Sequence, residues 1–145
     1  FTACQLLLRQ APNVVNTSVD SAWAEFRHLE NVLPPNIAAF RSRQYKVFVA
    51  ATLAKAGDKD SARHVLESVR AGKDIDPKGD LLTYEAVVRP LLGTKADTAE
   101  AFKLITDYVI GQPLHGAGFP ASTHWWWREL KKDPRWPTVG SGTSR

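Results

Sequence analysis

Four histidines, one cysteine and fifteen carboxylates are the side chains with which this chain could run acid–base, nucleophilic or metal chemistry. Two of them, His115 and His124, fall in one stretch and are separated by Gly116, Gly118 and Pro120. Folded into a single pocket with a carboxylate they would form a general acid–base pair, and a small enzyme built on them is the alternative reading of the chain. Their spacing is not that of a metal site, which in the H-E-x-x-H form sets two imidazoles on one helix face. His28 and His64 lie in helical patterns among polar neighbours, where an imidazole is usually structural. Cys4 has no catalytic motif around it, and a lone cysteine excludes both an intramolecular disulfide and a Cys-rich zinc site. No Walker or dinucleotide glycine pattern occurs, and "HGAGF" at His115 to Phe119 reads as a structural turn. The other carboxylates fall at expected helix caps and on solvated faces. The expectation is a chain that is not an enzyme, with no catalytic residue, metal ligand or cofactor.

The second constellation is aromatic and cationic. "STHWWWRELKKDPRW", Ser122 to Trp136, holds four of the five tryptophans. Adjacent residues of a helix point about 100° apart, so at least one of Trp125, Trp126 and Trp127 must face outward. Trp125 with Arg128, Lys131 and Lys132 is the predicted contact, suited to a protein hot spot or to a lipid headgroup layer. Glu129 and Asp133 dilute the positive charge there and favour a protein. Trp126, Trp127, Leu130 and Trp136 are expected to cover the final helix. A second set of partner contacts is expected from Arg41, Arg43, Tyr45 and Lys46.

Net charge is +4, but cations and carboxylates are interleaved except in the tail. A nucleic-acid partner is therefore not expected, since it needs a dense basic stripe with a recognised motif. The longest apolar run, Val47 to Ala54, falls far short of the roughly 20 residues that cross a bilayer. Other proteins, including subunits of a membrane complex, are the expected partners of a soluble or membrane-peripheral chain, with the periplasm the favoured compartment.

Positioning these residues falls to helices, because apolar spacings of three and four recur and strict alternation does not. The predicted class is all-α: stacked antiparallel hairpins, about six helices, closed by a Trp-rich capping segment. Thr17 and Asp20 are expected to box the start of a helix with the stripe Ala22, Trp23, Phe26, Leu29 and Leu33. "PPN" at Pro34 to Asn36 ends it and starts the next, near Ile37 to Ala56. That helix is apolar on two sides, Phe40, Val47, Phe48 and Ala51 on one and Tyr45, Val49, Leu53 and Ala56 on the other, so it belongs between neighbours. Gly57 and Asp58 mark a turn and a cap before Ala62, Val65, Leu66 and Val69. A helix near Leu81 to Leu92 is expected to kink at Pro90. Asp97 and Glu100 are expected to box the next, which carries Ala101, Phe102, Ile105, Tyr108 and Val109. The reading gives one domain over 1–139, with hairpins at 1–33, 36–72 and 79–110, a capping tail at 119–139, and a mobile end at 140–145.

A small residue followed one turn later by a large one recurs as Ala22 and Phe26, Ala62 and Leu66, Ala101 and Ile105, at spacings of 40 and 39 residues. Small residues let two helices approach closely, which stacked helical hairpins require. In "VAATLAKAGDKDSARHVLESV", Ala50, Gly57, Ala62 and Leu66, with Asp76-Pro77 closing the unit, resemble a tetratricopeptide repeat. The flanking units are longer than that family's ~34 residues. "HWWWRELKKDPRW" is similar to the segment after the last repeat in bacterial proteins of this family, with Trp127, Leu130, Asp133, Pro134, Arg135 and Trp136 at matching positions. The resemblance implies a superhelix whose concave face holds peptides or proteins, and it implies no chemistry.

Overall fold

Every regular element is helical among the residues described by the computed structural model, 18–111 and 127–139. Six α-helices and two short 3-10 turns are present there, and the chain divides into two compact units, 1–76 and 77–145. None of the described helices is long and apolar enough to cross a membrane.

In the first unit, α1 (Val19–Val32) starts at Ser18, whose hydroxyl accepts the Ser21 amide at 3.1 Å. The expected Thr17–Asp20 box is thus replaced by a Ser18–Ser21 pair, whose hydroxyls are 2.8 Å apart. Ser18 holds the extended backbone that a cap needs, so the first helical residue is Val19. Ala22 and Phe26 are buried on one face. Leu33 leaves the helix in an extended conformation, as the residue before a proline must. Pro35 then opens α2 (Pro35–Lys55), a position where its missing N–H costs nothing.

Burial on α2 is unequal along its length. All residues from Val47 to Ala54 are buried, whereas Ile37 is exposed and Phe40 half-buried. The sandwiched helix expected over Ile37 to Ala56 is sandwiched only in its second half. Length explains this: α3 (Lys59–Ser68) has 10 residues against 21, and at about 1.5 Å per residue it runs back along only half of α2. Ala56, expected on an inward face, caps α2 and is exposed. The turn itself forms as expected. Gly57 takes φ +93°, a left-handed conformation that penalises a side chain, and Asp58 accepts the Ser61 amide at 3.2 Å. Ala62, Val65, Leu66 and Val69 are all buried.

In the second unit, α4 (Asp80–Val88) packs against α5 (Lys95–Gly111). Pro90 does not kink a continuing helix; the chain tightens into a 3-10 turn, Arg89–Leu92, which Gly93 ends at φ +81°. The start of α5 also differs from expectation. Thr94 is the cap, accepting the Asp97 amide at 3.0 Å while donating its hydroxyl to the Asp97 carboxylate at 2.6 Å. The box is therefore Thr94–Asp97 and lies three residues before the expected Asp97–Glu100, because Asp97 is drawn inward as described below. Residues 127–139 contribute α6 (Arg128–Lys131) and a 3-10 turn at Trp136–Thr138. Trp127, Leu130, Trp136 and Val139 share one buried cluster with Ala101, Phe102, Ile105 and Val109 of α5.

Candidate partner-binding surfaces

Helix α2 carries the first four predicted contact residues, and their surroundings differ. Arg41 Nη1 donates to Gln44 Oε1 at 2.9 Å, and Arg43 Nη1 donates to the Ala39 carbonyl at 2.7 Å. Both guanidinium groups are turned toward their own helix, and the buried Arg43 Nε makes no hydrogen bond. Tyr45 and Lys46 instead converge on Phe26 of α1. The Tyr45 ring lies 6.5 Å from that of Phe26 and 5.2 Å from that of Phe48, and Lys46 Nζ sits 5.4 Å over the Phe26 ring. Burial first, and the negative charge of Glu25 second, push the Tyr45 hydroxyl up to about 12, so it stays a neutral hydrogen-bond donor at physiological pH.

Lys46 also lines a groove of about 840 Å³ in the first unit, within the range of about 300–1,000 Å³ typical of ligand sites. Asp20 and Trp23 of α1, Leu53 of α2, and Asp58 and Asp60 at the start of α3 line it with Lys46. Exposed His64 lines it as well. Trp23 packs edge-on against Phe26 at 5.7 Å, which fixes its indole beside the groove. Sequence reasoning missed this site: Trp23 reads as one more apolar residue of a stripe, and Asp20 and Asp58 read as caps. The only signal was that both caps belong to helices flanking α2.

The tail divides between burial and exposure. Arg128, Lys131 and Lys132 are exposed, and Lys132 Nζ lies 3.1 Å from both Glu129 carboxylate oxygens. Such an exposed pair is worth at most about 1 kcal/mol. Trp127 is buried and packs on Trp136 at 5.8 Å, while Trp125, Trp126, His115, His124, Cys4 and the end at 140–145 lie outside the described residues. The Asp-Pro-Arg-Trp segment forms a clasp. Arg135 Nε and Nη2 donate to Asp133 at 2.9 and 2.8 Å, its amide donates to the same carboxylate at 2.9 Å, and its guanidinium lies 4.7 Å over the Phe102 ring of α5. These hydrogen bonds hold the Asp133 carboxyl down at about 2.

One ionic cluster was not anticipated, since the carboxylates were expected only at caps and on solvated faces. Glu85, Arg89 and Asp97 are buried, at 1%, 4% and 3% exposure. Arg89 donates to Glu85 through Nε at 2.9 Å and to Asp97 through Nη1 at 3.1 Å, so one guanidinium ties the end of α4 to the start of α5. A Glu and an Arg four residues apart on an otherwise apolar helix were the available signal. Charges satisfied by one another in this way are structural. Among the described residues, no group of three His, Cys, Asp or Glu side chains is placed to hold a metal ion. Comparison with protein-family models, with curated proteins and with solved structures finds no match to this chain.

Proposed function

We propose that this chain is a non-enzymatic helical-repeat module, tetratricopeptide-like in its hairpins, that binds another protein as an adaptor or as an accessory subunit of a larger assembly. The observation that carries the reading is the burial of the repeated small-large pairs: Ala22, Ala62 and Ala101 are each 0% exposed, with Phe26, Leu66 and Ile105 buried one turn later. A small residue buried on each of three helices is what close hairpin packing asks for. Hairpin stacks expose long grooves suited to an extended segment or a helix of a partner. In this reading the tail is a cap: Trp127, Leu130, Trp136 and Val139 cover α5. The surfaces offered to the partner are the α2 face around Tyr45 and Lys46 and the exposed Arg128, Lys131 and Lys132.

Gentle purification from native cells, followed by native mass spectrometry, tests the reading. A protein partner held in fixed stoichiometry is the expected result. A chain that emerges alone, at concentrations where a micromolar complex would persist, overturns it.

A further inference from the structure

The groove of the first unit combines apolar and acidic lining residues, and the two together select for charge. Trp23 and Leu53 supply the apolar surface. Asp20 is exposed in the first turn of α1, and Asp58 and Asp60 are exposed at the start of α3. One Asp58 oxygen accepts the Ser61 amide, and Asp60 pairs with Arg63 at 3.1 Å, leaving its side chain 99% exposed. Lys46 is the groove's own ammonium, and it is drawn over the Phe26 ring. Three lining carboxylates stand against the Lys46 ammonium and the Arg63 guanidinium that pairs with Asp60, a formal excess of one negative charge in a chain whose net charge is +4.

We propose that this groove docks a lysine- or arginine-bearing segment of a partner protein, with the aliphatic stem of the cation against Trp23 and Leu53 and its charged end among Asp20, Asp58 and Asp60. The proposal rests on the reading of the chain as a protein-interaction module and names the chemistry of its partner. Long cationic side chains match both features, since their stems bury against apolar surface while their heads stay in a polar setting. An indole beside the path attracts the cation further. An acidic segment would meet like charge, and a purely apolar one would strip water from carboxylates without replacing it.

The probe is a fluorescein-labelled peptide alternating lysine with leucine, compared by anisotropy with its glutamate-for-lysine counterpart on the intact chain. The lysine peptide is expected to bind and the glutamate peptide not to. Combining Asp20→Asn, Asp58→Asn and Asp60→Asn removes the charge but keeps the Asp58 cap, since asparagine caps as well as aspartate. This variant is expected to retain its circular dichroism and to weaken lysine-peptide binding by roughly tenfold. Trp23→Ala is expected to weaken it as well, and salt at about 0.5 M to do so in the wild type only. Equal binding of the two peptides, no binding by wild type, or unchanged binding by the triple variant overturns the proposal. The partner reading is judged separately: if a co-purifying protein stays on the triple variant, the module reading stands and the groove proposal falls. If wild type carries no partner, the module reading falls, and the peptide result still decides the chemistry of the groove.

Discussion

Removing the guanidinium of Arg89 should be among the most damaging single changes in the second unit. Arg89→Met keeps the length and apolar stem of the side chain but deletes the donors that reach Glu85 at 2.9 Å and Asp97 at 3.1 Å. The Glu85 and Asp97 side chains are 1% and 4% exposed, so water does not replace what they lose. Two buried negative charges then face each other with the intervening cation gone. Breaking a buried ion pair from one side costs about 3–5 kcal/mol, against a total domain stability of about 5–15 kcal/mol. Urea unfolding read by tryptophan fluorescence measures it, in a Trp23→Phe background that leaves emission only from Trp125, Trp126, Trp127 and Trp136, all within 77–145. With a slope of about 1–3 kcal/mol per molar urea, the midpoint should fall by roughly 1–5 M. Adding Glu85→Leu and Asp97→Asn to Arg89→Met should recover most of the loss, because replacing a whole buried ionic cluster is far cheaper than orphaning part of it. A loss below about 1 kcal/mol for Arg89→Met alone, or a combined variant weaker than the single one, would refute the reasoning.

The Tyr45 hydroxyl, pushed up to about 12 in the folded chain, ionises near pH 10 when unfolded. Its contribution is thus fully present below about pH 10 and lost as pH rises through 12, so Tyr45→Phe should lose less stability than wild type across that window. Parallel pH profiles of the unfolding midpoint would disprove this. Ala62 is 0% exposed where α3 meets α2, so Ala62→Leu should cost about 1–3 kcal/mol by overpacking, while Ala56→Leu at an exposed cap should stay within about 0.5 kcal/mol. Chemical denaturation of the two variants side by side checks this, and equal midpoints would sink the small-residue argument.

Periodicity and punctuation made the helices of this chain legible. Apolar spacings of three and four, prolines at 34, 35 and 90, and glycines at 57 and 93 act through local backbone geometry, so Gly57 and Asp58 do in the structure what their types imply. The small-large pairs were legible for the same reason, since the residue that faces a neighbouring helix follows from the period alone. Cap identity was less so. Ser18 displaces Thr17 and Thr94 displaces Asp97, because any hydroxyl or carboxylate near a helix start competes for the same amides and the winner depends on where the chain enters.

What the sequence determined by itself, then, was the helical class, the helix order among the described residues and the buried small-large pairs, all of which follow the local period. Tertiary structure decided everything that joins residues distant in the chain. The length of α3 against α2 left the first half of α2 less buried than the second, with Ile37 exposed, an outcome that depends on two helices at once. Asp97 became a buried partner of Arg89 instead of a solvated cap, because the 3-10 turn at Pro90 brings the start of α5 back onto the end of α4. Asp20 and Trp23 came to share a groove with Asp58 and Asp60 across about 40 residues of chain. Their types were visible from the start, but charge complementarity is a property of a surface, and a surface exists only once helices have packed.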